Sequence, residues 1–169
     1  AAEVSSPELI DQLDGVQVLH DGDREFLADG ECTAALCGWA DALLIAPLSA
    51  ATLSEVAAGL DVDLLTNVTH SWGFNRVPQP SNTAPDTCHW KPVKPIVIAP
   101  MLPSTLIEHP VTHKHLSELS TRGFGLVQSA GDSSGDTPQL RRHVTRIVEF
   151  LKHALVDYSA QISRTHTAH

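Results

Sequence analysis

Basic residues, long apolar runs and cysteines are all scarce in this chain of 169 residues, and each scarcity excludes a class of protein. There are 11 basic residues against 20 acidic ones, and the formal net charge of −9 would repel a nucleic-acid backbone. The longest apolar runs, such as 42–47 and 96–101, are far shorter than the roughly 20 residues that cross a bilayer. Three cysteines make an odd and small number, which argues against a disulfide framework and predicts a reducing, cytoplasmic location. We therefore expect a protein that binds neither nucleic acid nor membrane.

The residues that are present predict a mixed α/β domain. Hydrophobic residues make up 42% of the chain, which is enough for a packed core. Several short apolar runs do not alternate with polar residues, as is typical of strands buried on both faces of a parallel sheet. These runs lie at 16–20, 42–46, 96–99 and 124–128. Helix-like segments at 49–60, 113–120 and 138–162 lie between and after them. This alternation predicts strand–helix–strand crossovers in one domain over 1–169.

Three segments are predicted to lie outside this framework. Segment 73–95 holds five prolines among polar residues and is long for a simple connection, so we predict an inserted loop. Segment 129–138 is small and polar, which predicts a flexible flap. Segment 163–169 is predicted to be a polar tail.

Two blocks of sequence carry a resemblance to a known family. Residues 39–66 read WADALLIAPLSAATLSEVAAGLDVDLLT, and residues 94–116 read KPIVIAPMLPSTLIEHPVTHKHL. They resemble the flavoproteins that include phosphopantothenoylcysteine decarboxylase, the flavin-containing cysteine decarboxylases and the halotolerance-type phosphatase inhibitors. The resemblance covers residues 13–150 and implies a three-layer, Rossmann-like (flavodoxin-like) fold with a doubly wound parallel sheet.

The resemblance also implies an FMN site where two strands end. Ser49 stands between a predicted strand and a predicted helix, where free backbone N–H groups favour an electron-rich ligand. In the family this turn touches the flavin, which here implies contacts from Ser49, Ala50 and Thr52. The second turn would pack Ala99 and Met101 beside the isoalloxazine. The residues alone leave open that Ser49 only caps a helix, that Met101 belongs to the core, and that FMN is not retained.

Three family positions that handle protons or substrate are changed in this chain. The family histidine six residues before Trp39 is Thr33, whose hydroxyl does not titrate near neutral pH. The asparagine that binds the substrate carboxylate is Pro103, and the flap cysteine is Ala130. The resemblance therefore implies a decarboxylase-like flavoprotein of coenzyme A biosynthesis that is catalytically impaired on its own, with no catalytic residue assigned.

The resemblance implies partners as well. Family sites lie between subunits of a trimer, so a homotrimer or a mixed trimer with paralogues is expected, with Trp39 in the core or at a subunit contact. The alternative function is a non-catalytic inhibitory subunit of a PP1-like serine/threonine phosphatase, which the acidic tract 11–31 could contact. No metal site is predicted, because Pro110 favours a helix start between His109 and His113, two histidines at i,i+4 spacing.

Overall fold

The computed structural model describes residues 15–16, 19, 31–78, 88–128 and 137–166, over which helices and strands alternate. In chain order the elements are α1 (Glu31–Trp39), β1 (Leu43–Leu48), α2 (Ala50–Ala58), α3 (Leu64–Ser71), β2 (Phe74–Pro78), β3 (Cys88–Pro92), β4 (Ile96–Pro100), α4 (Ser104–Ile107), α5 (Pro110–Thr121), β5 (Gly125–Leu126) and α6 (Thr137–His166).

Strand β4 is the centre of a three-stranded parallel sheet with β1 and β5 on either side. Val97 of β4 is in register with Leu44 of β1 and with Gly125 of β5. Every residue of β4 is buried, which explains why the strand is apolar without alternation. The strands predicted at 42–46 and 96–99 are confirmed, and the one at 124–128 is shorter than predicted. The strand predicted at 16–20 lies largely outside the described residues.

Helices cover both faces of this sheet. Ile96 and Ile98 pack into a core cluster with residues of α2, α3 and α5 on one face. Val97 and Ala99 point the other way and pack against Ile147 of α6. Because side chains alternate across a strand, one central strand supplies both cores. The arrangement has the three layers that the family resemblance implies.

Helices α2 and α3 are bounded by local chemistry. The Ser49 side chain caps α2, and Gly59 ends it in the left-handed conformation at φ 69°. Helix α3 was not among the predicted helices, although its capping box is present in the sequence: Asp63 Oδ1 accepts from Thr66 N at 2.7 Å.

Segment 73–95 is not the simple inserted loop that its prolines predict. Its ends form an antiparallel pair, β2 and β3, with Phe74 opposite Pro92 and Pro78 opposite Cys88. The prediction of a loop was therefore wrong at both ends of the segment, while 79–87 lies outside the described residues. Pro78 and Pro92 are the last residues of their strands, positions where proline is tolerated, so their number did not exclude pairing.

Helix α6 also differs from the prediction at its end. It runs to His166, so residues 163–166 of the predicted tail are helical. They include neither glycine nor proline, and nothing local stops the helix there. Most of the predicted flap, 129–136, lies outside the described residues. Within the described ranges, no helix combines the length and apolarity needed to span a membrane.

A lysine and a tryptophan tie α1 and α3 to the start of β4. Lys94 Nζ donates to the carbonyl oxygens of Cys37, Gly38 and Ala40 at 2.9, 3.0 and 2.7 Å. These carbonyls belong to the C-terminal end of α1, where a cation is favourable. The indole N–H of Trp72, just after α3, donates to the Lys94 carbonyl at 3.0 Å.

Two glycines in the left-handed conformation offer a stability prediction. Gly123 has φ 88°, and a methyl group there would lie 2.7 Å from Cδ of Pro92. Gly59 has φ 69° with open space around it. We expect Gly59→Ala to lower the free energy of unfolding by about 1 kcal/mol, the cost of the backbone conformation alone. Gly123→Ala has the same backbone cost and adds a clash with Pro92, which should lower the free energy of unfolding by about 1–3 kcal/mol more. Urea unfolding measures both variants. Equal losses in the two variants would show that β3 does not press on this turn.

Candidate functional site

The turns after β1 and β4 meet at one edge of the sheet. Leu48 is in register with Pro100, and Met101 N donates to the Leu48 carbonyl at 3.2 Å. The ladder is irregular between Ile45 and Leu48, and the Ala46–Pro47 peptide bond is cis. The Leu48–Pro100 register and the Met101–Leu48 hydrogen bond bring the two predicted flavin-contacting turns together, at the edge where ligands bind in open α/β sheets. We call this edge the β1–β4 edge.

Ser49 and Thr52 form the helix end of the β1–β4 edge. Ser49 Oγ accepts from Thr52 N at 3.1 Å and lies 3.0 Å from Thr52 Oγ1. Ser49 is exposed, whereas Ala50 is partly buried against the core. Ser49 thus does cap the helix, as the sequence left open. The same end presents the positive end of the helix dipole to an acceptor atom, so capping and ligand contact are compatible.

Met101 and Ala99 lie in different surroundings. Met101 is 45% exposed, so it is not the core residue that the sequence left open. Ala99 is 1% exposed and packs with Val97, Val127 and Ile147 against α6. Of these two predicted contacts, the Met101 thioether is the one that reaches the surface at the β1–β4 edge.

Two of the changed family positions can be placed. Thr33 is buried on α1. Pro103 is the residue before α4 and makes no side-chain cap, since it has neither a polar side chain nor a backbone N–H. Ala130 lies outside the described residues. The turns 47–52 and 100–104 contain no ionisable side chain, so they offer no proton donor or acceptor that titrates near neutral pH.

Cys37, on α1, has a structural role. Cys37 Sγ donates weakly to the Val68 carbonyl at 3.6 Å, joining α1 to α3. Burial raises the pKa of the Cys37 thiol, against a smaller lowering from the Lys94 ammonium. The thiol therefore stays protonated and poorly nucleophilic at neutral pH.

The structure places Trp39 on the surface and makes His109 a helix cap. Trp39 ends α1 and is 82% exposed, so it is not a core residue; its role as a subunit contact stays a prediction. His109 caps α5, its Nδ1 accepting from Val111 N at 3.2 Å, and the helix begins at Pro110 as predicted. Over the described ranges, no three His, Cys, Asp or Glu side chains converge as metal ligands would.

His143 is a buried residue of α6 that no sequence motif marked. It is buried on α6, one turn before Ile147, and its Nδ1 has no hydrogen-bond partner in the part of the chain that the structure describes. Its spacing from Ile147 and Leu151 places it on the apolar stripe of α6 that packs against Val97 and Ala99. That periodicity could have identified it as a buried histidine.

Comparisons with known proteins agree with this architecture. The model of the family described as Flavoprotein matches residues 1–153. A phosphopantothenoylcysteine decarboxylase from Oryza sativa subsp. japonica is 33% identical over 89 residues, which are 53% of this chain and 32% of that protein. Phosphopantothenoylcysteine decarboxylase HAL3a from Glycine max is 30% identical over 115 residues, 65% of this chain and 46% of that protein. The chain thus spans about a third to a half of these relatives.

A solved structure shows the same fold. The FMN-dependent cysteine decarboxylase SpaF superposes with a TM-score of 0.58 at 19% identity, over 92% of this chain and 73% of that one. At that identity the likeness concerns the fold alone, a flavodoxin-like α/β domain with a parallel sheet.

Proposed function

Because this chain belongs to the flavoprotein family, we propose that it is a phosphopantothenoylcysteine decarboxylase-like flavoprotein of coenzyme A biosynthesis that is catalytically impaired on its own. The observation that supports this proposal is the β1–β4 edge. The edge keeps the paired turns that the family uses for the flavin, yet those turns carry no ionisable side chain. The relatives that are named as decarboxylases are longer than this chain. For this chain, the proposed activity is therefore argued from the geometry of the β1–β4 edge.

FMN is the cofactor that the family implies, and the donor set at the β1–β4 edge fits its ring system. The N-terminus of α2, with the Ser49 hydroxyl, suits an acceptor atom on the ring edge, and the exposed Met101 thioether suits the apolar ring. Neither turn holds a lysine or arginine, so the phosphate needs partners from elsewhere. When bound, FMN supplies the redox chemistry that these side chains lack; the side chains bind and orient it.

The proposal includes an oligomer and a cytoplasmic location. Trp39, a large apolar side chain left exposed at the end of α1, supports a subunit contact in a homotrimer or a mixed trimer with paralogues. A paralogue would have to supply the groups that Thr33 and Pro103 replace. The phosphatase-inhibitor alternative depends on the acidic side chains of 11–31, which lie outside the described ones, so no structural observation favours it.

FMN binding is the experiment that tests this proposal. Protein incubated with FMN is expected to retain a visible flavin absorbance band through gel filtration. Ser49→Ala removes one hydrogen bond at the β1–β4 edge and should weaken FMN binding about fivefold, corresponding to about 1 kcal/mol. The matched control is Ser54→Ala, because Ser54 lies on the same helix with its hydroxyl on the Ala50 carbonyl at 2.9 Å.

Stability must be followed alongside affinity, because Ser49→Ala also removes a cap worth about 1 kcal/mol. Affinities compared well below the melting temperature of each variant separate the two effects. Protein that stays colourless would remove the flavin from the proposal. Equal affinities of the Ser49 and Ser54 variants would place the flavin elsewhere.

A further inference from the structure

A cavity of about 440 Å³ lies at the end of the sheet opposite the β1–β4 edge. Helix α2 begins at the β1–β4 edge with Ser49, and its other end, Ala57 and Ala58, lines the cavity. Phe124, the residue before β5, also lines it. Because parallel strands begin at one edge and end at the other, this cavity is separate from the predicted flavin site.

Aromatic side chains form the apolar part of the cavity. Phe74 and Phe124 stack with ring centroids 6.2 Å apart and an interplanar angle of 29°. Trp90 of β3 also lines the cavity and is 52% exposed, which leaves much of its indole accessible to a ligand. Phe74 and Trp90 come from the paired strands within 73–95, so the segment predicted as a loop builds this wall. Such surfaces favour a flat ring, which gains by offset stacking.

One side chain gives the cavity its charge. Arg122 Nη1 donates to the Ala57 carbonyl at 3.1 Å, and this is the hydrogen bond that its guanidinium makes within the described residues. This bond fixes the position of the forked guanidinium group. Its remaining N–H groups can donate two parallel hydrogen bonds to a carboxylate, the geometry that arginine favours.

The other ionisable residue of the described lining is already paired. His70 Nδ1 lies 2.8 and 2.9 Å from the two carboxylate oxygens of Asp61. If His70 is protonated, Asp61 balances its charge; if it is neutral, Asp61 faces its ring N–H. The excess positive charge of the lining therefore resides on Arg122.

We propose that this cavity binds a small planar aromatic monocarboxylate, with its ring against Trp90 and Phe74 and its carboxylate on Arg122. A single anchored guanidinium matches one carboxylate, whereas a phosphate dianion would call for further donors. A cationic ligand would meet the charge of Arg122 directly. The volume accommodates a fused two-ring acid. This inference is independent of the function proposed above, because it uses no residue of the β1–β4 edge.

The probe is 2-naphthoate, compared with the uncharged 2-naphthamide and the cationic 2-naphthylmethylamine, each titrated calorimetrically into the full chain without FMN. We expect saturable one-to-one binding of 2-naphthoate and at least about 10-fold weaker binding of the other two, the usual loss when a charge-assisted bond is removed. Arg122→Met should weaken 2-naphthoate by a similar factor. Arg146→Met on the exposed side of α6 is the matched control and should change nothing.

Two further variants separate binding from folding. Arg122→Lys keeps the charge and a donor for the Ala57 carbonyl, so it should fold normally and bind with intermediate affinity, because it lacks the fork. Trp90→Leu should weaken 2-naphthoate and 2-naphthamide alike, since it removes stacking and leaves the charge. Non-saturable binding of 2-naphthoate, equal affinity for acid and amide, or unchanged binding by Arg122→Met would each overturn the proposal.

Discussion

Purified protein supplied with FMN and 4′-phosphopantothenoylcysteine is expected to decarboxylate it at least about 10⁴-fold more slowly than the Oryza sativa phosphopantothenoylcysteine decarboxylase assayed in parallel. Each missing acid–base group typically costs about 10²–10⁴-fold, and the losses within one catalytic unit do not add. Thr33 and Ala130, which stand in place of the family histidine and cysteine, ionise at no accessible pH, and the turns 47–52 and 100–104 hold no substitute. The measurement is release of carbon dioxide and of the decarboxylated thiol.

Two further experiments test whether the missing groups cause the low activity. Mixing the chain with a paralogue that carries the family histidine tests whether a mixed trimer regains activity. The variant Thr33→His, Pro103→Asn, Ala130→Cys tests direct restoration. Because Thr33 is buried, an imidazole there must displace its neighbours, so we expect this variant to be less stable and to recover little activity. Turnover by the unmixed chain within about tenfold of the plant enzyme would contradict the claim of impairment.

Trp72→Ala is expected to lower the free energy of unfolding by about 3–5 kcal/mol, the largest single-residue stability effect that we predict. Trp72 is 3% exposed, sits in the core cluster under α3, and donates its indole N–H to the Lys94 carbonyl. The substitution removes a large apolar side chain, leaves a cavity and leaves the Lys94 carbonyl without the indole donor. The side chain of the same lysine donates to the carbonyls at the end of α1. Urea unfolding followed by circular dichroism measures it.

Two other substitutions separate the contributions of the hydrogen bond and of burial to the stability loss of Trp72→Ala. Trp72→Phe keeps an aromatic ring and loses the N–H, so we expect a smaller loss than for Trp72→Ala, with about 1 kcal/mol of it from the hydrogen bond. Trp39→Ala removes the same side chain from a site that is 82% exposed in the single chain, so at protein concentrations too low for assembly it should change stability by less than about 0.5 kcal/mol. If Trp39→Ala cost as much as Trp72→Ala, Trp39 would be buried in an assembly that contributes to folding.

Helix α2 shows what local sequence can predict. A serine before the helix and a glycine after it marked both ends, and the structure has Ser49 and Gly59 as its caps. Strand β4 was equally readable, because a short apolar run without alternation is typical of a strand buried on both faces. Helix α3 was missed because threonine, asparagine and serine weaken its helical pattern, although its Asp63–Thr66 box was a usable signal.

The sequence predicts the candidate site only in part. That the turns after β1 and β4 share an edge follows from parallel pairing of two predicted strands, and the structure has them in contact. That Ala99 turns inward while Met101 is exposed depends on which face α6 covers, and no neighbouring residue in the sequence encodes that. The pairing of β2 with β3 was hidden by prolines whose positions at strand ends become clear only in the ladder.

By itself, the order of residues determined the strand–helix alternation, the helix caps and the loss of titratable groups from both turns, because each depends on chemistry within a few residues. The tertiary structure decided which of those residues meet. It exposed Trp39, buried Thr33, and brought Arg122 to the end of α2, 65 residues away along the chain. Such contacts depend on how separate elements pack, and packing is a property of surfaces that distant segments form together.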